Sequence, residues 1–64
     1  MLVGTFKEYK GFVGSIEITG GKHHGKLLDI KDLVFYTAKS LEELEKEYYE
    51  AVDDYLEFLD HFKE

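Results

Sequence analysis

The stretch "FVGSIEITGGKHHGKLLDI", residues 12–30, decides the fold. Phe12, Gly14, Ile16 and Ile18 alternate with Val13, Ser15 and Glu17, the period-two signature of a half-buried strand. Gly20 and Gly21 then stand between two strand-like runs, where a two-residue hairpin needs positive φ at both central positions. Taking them as the turn fixes the register: Thr19 opposite Lys22, Ile18 opposite His23, Glu17 opposite His24, and Ile16 opposite Gly25. Cross-strand partners share a face. One face therefore collects Phe12, Gly14, Ile16, Ile18, His23, Gly25 and Leu27, mostly apolar, with two glycines that leave room for a close-packed helix. The other collects Ser15, Glu17, Thr19, Lys22, His24 and Lys26, which belong in water. The spacing predicts strands over about 5–18 and 23–30.

After the polar break at Lys31-Asp32, "LVFYT" predicts a third antiparallel strand over 33–37, rich in β-formers on both faces. A short connection puts Val34 and Tyr36 on the core face. Leu33 and Phe35 then join Leu28, Ile30 and Val13 as an apolar cluster on the back. At Ser40 the pattern changes, since "SLEE" offers a serine N-cap with Glu43 three residues on and acids in the first turn. A helix over about 40–62 follows, its stripe formed by Leu41, Leu44, Tyr48, Ala51, Val52, Tyr55, Leu59 and Phe62. The expected core centres on Ile16, Leu27, Val34, Leu44, Val52 and Tyr55. A helix of that length measures roughly 33 Å against roughly 17–26 Å for the strands, so its C-terminal turns overhang the sheet or pack on another chain. The fold class is α+β: one domain over 1–64, a three-stranded antiparallel meander packed on one long C-terminal helix.

At 64 residues with no cysteine, neither a disulfide nor a thiolate zinc site can supplement a small core. Core packing and oligomerisation remain, and a homodimer or higher oligomer is expected. No apolar run approaches the length of a membrane span, and "MLVGTFKEYK" lacks the order of a signal peptide, so the chain reads as cytoplasmic. The net charge is −6 and there is no arginine, which argues against direct nucleic-acid binding. Charge is also unevenly placed. Residues 1–39 carry six lysines and four acids, whereas residues 40–64 carry two lysines and ten acids. An acidic segment of this kind is either a solvated face or a surface for a basic partner.

Asp53 and Asp54 are neighbours on the helix, where successive side chains diverge by about 100°, so they do not form a catalytic acid/base pair. Glu43, Glu47, Glu50, Asp54, Glu57 and Asp60 point outward, with Asp53 at the border. His23 and His24 point to opposite faces of a strand and cannot chelate one ion. His24 is expected to pair with Glu17, and His61 suits the negative end of the helix dipole. The glycines lie in strands and hairpins, not in a phosphate loop, and neither serine has a base placed by spacing. No catalytic, cofactor or metal residue is expected.

Three segments, "YKGFVGSIEI" at 9–18, "HGKLLDIKDLVFY" at 24–36 and "SLEELEKEYYEAVDDYLEFL" at 40–59, together resemble the N-terminal domain of HicB-family antitoxins. The likeness spans nearly the whole chain. It implies a partial ribonuclease H-like fold without that enzyme's catalytic metal site. It also implies a partner, a small, basic HicA-type mRNA interferase that the antitoxin blocks by binding. HicB antitoxins commonly continue into a DNA-binding domain; this sequence stops at Glu64, and operator binding is not carried over. Phe35 stands where the family tends to have a small polar residue. The partner surface expected on this reading comprises Glu47, Glu50, Asp54 and Glu57 on the helix with Leu28, Leu33 and Phe35 on the sheet. The alternative is a stand-alone HicB-like homo-oligomeric domain with no toxin partner.

Overall fold

The computed structural model describes residues 2–61. Four strands, β1 (Leu2–Thr5), β2 (Ser15–Thr19), β3 (Lys22–Lys26) and β4 (Phe35–Ala38), precede one helix, α1 (Leu41–His61). The strands form a single antiparallel sheet in the order β1-β2-β3-β4, and α1 packs on one face of it.

The β2–β3 register is the one expected: Glu17 pairs with His24, Ile18 with His23 and Thr19 with Lys22 around Gly20 and Gly21, whose φ angles are +57° and +79°. The expectation of three strands is corrected to four. The run expected as one strand over 5–18 is broken by a second tight turn, in which Tyr9 and Phe12 exchange both backbone hydrogen bonds across Lys10 and Gly11. Lys10 has φ 52° and Gly11 φ 88°, so both central residues are left-handed, as this turn class requires. Few non-glycine residues accept that conformation. Here it is held by an ion pair from Lys10 Nζ to Asp53 Oδ1 at 2.8 Å and by the ammonium lying 5.2 Å from the Tyr9 ring centre. The chain returns as β1, which pairs with β2 through a register shift between Leu2 and Gly4. The other strands are shorter or displaced relative to 23–30 and 33–37. The helix closely follows the expected 40–62, with Phe62 outside the described residues.

Ser40 caps α1 as its sequence implies: its Oγ accepts the Glu43 amide at 3.2 Å. The core consists of Ile16, Leu27, Tyr36, Leu44, Tyr48, Val52 and Tyr55. Val34, expected there, is only half-buried, and Tyr36 and Tyr48 take the centre instead. Tyr48 is surrounded by the rings of Phe6, Tyr9, Tyr36 and Tyr49, with centroids 5.1–6.3 Å away. Its hydroxyl lies 2.8 Å from the Lys7 carbonyl and 2.7 Å from that of Phe12, donating its one proton to either. A helical side chain thus fastens the N-terminal hairpin to the helix. Burial pushes the Tyr48 phenol up from its usual pKa.

Gly14 and Gly25 provide the close approach. A Cβ on Gly14 would lie 2.6 Å from Tyr48 Cδ1, and one on Gly25 would overlap the Ser15 carbonyl oxygen. Ser15 corrects a second expectation. Strand alternation puts it on the wet face, yet it is 1% exposed. Its Oγ accepts the Lys26 amide at 3.0 Å, and its carbonyl accepts the Tyr36 hydroxyl at 2.8 Å. Side-chain hydroxyls take over part of the β2–β3 ladder at this point, which satisfies polar groups that burial would otherwise leave costly.

Candidate partner-binding surface

The adjacent aspartates part company. Asp53 accepts from Lys10 and, at 3.2 Å, from the Tyr9 hydroxyl, so it clasps the tip of the N-terminal hairpin. The hydrogen bond from Lys10 holds the Asp53 carboxyl below the usual carboxylate range and, reciprocally, lifts the Lys10 ammonium above its own. Asp54 points elsewhere. It lines a groove of about 330 Å³ between β4 and α1, with Val34, Phe35, Tyr36, Glu47, Glu50, Ala51 and Tyr55. The helical spacing of Glu47, Glu50 and Asp54, three and four residues apart, sets them on one side of α1.

Among the described residues β4 is an edge strand, so this groove runs beside backbone that no other strand pairs with. Its outer lip is apolar. Phe35, 63% exposed, lies on the face of β4 turned away from the core, and Leu33, 72% exposed, lies in the connection just before the strand. A wider groove of about 950 Å³ continues past it, bounded by the Gly20-Gly21 hairpin, the end of β4, and Glu43, Lys46, Glu47 and Glu50. Glu47 and Glu50 border both, whereas Lys22, Lys39 and Lys46 line the wider groove beside its glutamates, so the acidic character is concentrated in the smaller one.

Of the residues expected at a partner surface, the structure brings together Glu47, Glu50, Asp54 and Phe35. Leu33 flanks them. Leu28 is half-buried in the connection after β3, its amide donating to the Val13 carbonyl. Glu57 is exposed one turn beyond Asp54 and lines neither groove. Phe58 and Leu59 are also exposed, at 50% and 41%, on the last turns of α1. The whole molecule measures 42 × 19 × 18 Å, in keeping with a helix longer than its sheet.

The histidines lie opposite their expected partners in register, but the contacts differ. His24 Nε2 is 3.2 Å from Thr19 Oγ1 rather than paired with Glu17, and His23 Nδ1 is buried with no hydrogen-bond partner among the described residues. Tyr55 ties the connection before β4 to the helix by donating to Asp32 Oδ2 at 3.0 Å, and desolvation followed by that carboxylate raises its pKa. Among the described residues no three histidine or carboxylate side chains converge as a metal set, and no helix is long and apolar enough to cross a membrane.

No protein-family model, curated protein or solved structure matches this chain.

Proposed function

We propose that this chain is a HicB-like antitoxin domain, a non-catalytic cytoplasmic protein that neutralises a basic ribonuclease toxin of the HicA type by docking it on the acidic groove between β4 and α1. The observation that carries the reading is the meeting of Glu47, Glu50 and Asp54 with exposed Phe35 along an edge strand. A large exposed aromatic at the edge strand, beside a charged rim on the helix, has the layout of a binding anchor, with the rim steering a partner of opposite charge. The pronounced acidity of residues 40–64 adds a longer-range field of the same sign. The antiparallel sheet with a helix on one face supports the finer assignment to a partial ribonuclease H-like fold, and the three sequence segments named above support the family.

Co-expression is the test. A HicA-type ribonuclease that arrests growth when expressed alone should be silenced by the wild-type chain and released by Glu47→Lys/Glu50→Lys/Asp54→Lys. Arrest that the wild-type chain fails to relieve, for every HicA-type toxin encoded beside it or beside its near relatives, contradicts the proposal.

A second reading, a homo-oligomeric domain with no toxin, draws on the exposed apolar residues Leu33, Phe35, Phe58 and Leu59. Like charges at Glu47, Glu50 and Asp54 oppose self-association through the β4 groove, so such an interface would use the back face or the helix end. Sedimentation equilibrium decides it: a monomer at high micromolar concentration removes the second reading.

A further inference from the structure

The mode of docking is open to a more specific argument, which rests on the binding reading above. In the β3–β4 pair, Phe35 lies opposite Lys26, Tyr36 opposite Gly25, Thr37 opposite His24 and Ala38 opposite His23, while the Leu27 amide donates to the Val34 carbonyl at 3.0 Å. Backbone groups of an antiparallel strand alternate in direction. Val34, Tyr36 and Ala38 therefore turn theirs toward β3, and Phe35 and Thr37 turn theirs toward the open edge. Each of these two residues presents one N–H and one C=O at the pitch of a ladder.

What lies beside that edge selects the strand that would fill it. Side chains of an added strand that point to the helix side enter the groove floored by Ala51 and rimmed by Glu47, Glu50 and Asp54. Those that point to the other side fall next to Phe35 and Leu33. A cross-strand neighbour stands about 5 Å away, within contact of an aromatic ring. The edge thus asks for an extended segment alternating basic and apolar residues, its basic positions set toward the Phe35 end, since Lys22, Lys39 and Lys46 border the end at Thr37 and Ala38. A second copy of β4 meets this poorly, because its own Glu47, Glu50 and Asp54 would be carried toward the same carboxylates. The opposite edge, β1, is less regular, since its pairing is interrupted by the shift between Leu2 and Gly4.

We propose that the free edge of β4 is a strand-addition site that accepts an extended, alternating basic and apolar segment of a protein partner as a fifth strand of the sheet. Backbone pairing through Phe35 and Thr37 supplies register, Phe35 an apolar contact, and Glu47, Glu50 and Asp54 the preference for lysine or arginine. This edge borders the same groove between β4 and α1.

The experiment uses a fluorescein-labelled peptide alternating lysine and valine over eight residues, titrated with the full chain and followed by anisotropy. Two N-methylated versions are compared, each methylated on one alternate set of amides. Strand addition requires that one set weaken binding tenfold or more and the other leave it within twofold. A glutamate–valine peptide should not bind. Thr37→Pro, which removes an outward N–H that the fold does not use, should weaken the lysine–valine peptide tenfold or more while circular dichroism stays that of the wild type. Equal loss from both methylated sets, or no binding of the parent peptide, overturns the proposal. Should binding persist with Thr37→Pro and with both methylated peptides yet vanish on reversing Glu47, Glu50 and Asp54, strand addition fails and charge-led docking survives.

Discussion

Replacing Gly25 by alanine tests how tightly the sheet is built around Tyr36. Gly25 is buried, and a Cβ there would overlap the Ser15 carbonyl oxygen and come within 2.6 Å of Tyr36 Cε1 and 2.9 Å of Cζ. Those two groups are also the partners in the 2.8 Å hydrogen bond from the Tyr36 hydroxyl to Ser15. Neither can retreat without disturbing the bond or the β2–β3 pairing. Overpacking of this kind costs about 1–3 kcal/mol. A weakened bond to a buried carbonyl adds about 1–3 kcal/mol. Alanine recovers only about 0.5–1 kcal/mol over glycine through lower chain entropy. The net loss is on the order of 1–5 kcal/mol. A domain of this size has about 3–10 kcal/mol in all, so the variant is marginal. With a urea dependence near the low end, about 1 kcal/mol per molar, the unfolding midpoint should fall by about 1 M or more. Gly4→Ala is the control, since a Cβ there meets nothing within 4 Å and the midpoint should hold. A Gly25→Ala midpoint within about 0.3 M of wild type, by circular dichroism, would refute the packing argument, given the usual precision of such fits.

Two further outcomes follow from the core. Val52, fully buried on α1, should lose about 1–3 kcal/mol on truncation to alanine, and an unchanged urea midpoint would contradict the face assignment. Burial raises the Tyr36 phenol pKa, so the folded state holds its proton more tightly than the unfolded one. The stability this contributes is fully present below the unfolded tyrosine value of about 10 and is lost as pH rises toward the folded value. Tyr36→Phe should therefore be less stable than wild type at neutral pH, for want of the bond to Ser15, and should lose less stability than wild type above about pH 10. Parallel stability–pH curves for the two proteins would remove Tyr36 from that dependence.

Much of the fold was legible because local chemistry and periodicity agreed. Gly20-Gly21 set the register, Ser40 and Glu43 set the helix start, and the alternation of 33–37 put Tyr36 inward and Phe35 outward. The second hairpin was not legible, because lysine is a poor left-handed residue and Lys10 holds that conformation through Asp53, 43 residues away. The signal available was a lone Gly11 between Tyr9 and Phe12. Ser15 was misplaced because strand alternation carries no sign of a hydroxyl substituting for ladder bonds. The acidic row of the candidate site could be read from helical spacing. Its neighbour could not: only the placement of α1 across the sheet brings Glu47, Glu50 and Asp54 to the free edge of β4, and leaves Glu57 beyond it.

The central claim is that this acidic edge groove receives a basic partner, and a stopped-flow association rate against a HicA-type ribonuclease across a salt series tests it most directly. Charge complementarity acts on the encounter, and its reach shrinks from about 10 Å at 0.1 M salt to about 3 Å at 1 M. The wild-type rate should fall steeply with salt, while Glu47→Lys/Glu50→Lys/Asp54→Lys associates more slowly and responds less. Equal rates and equal salt slopes for the two proteins would contradict the claim.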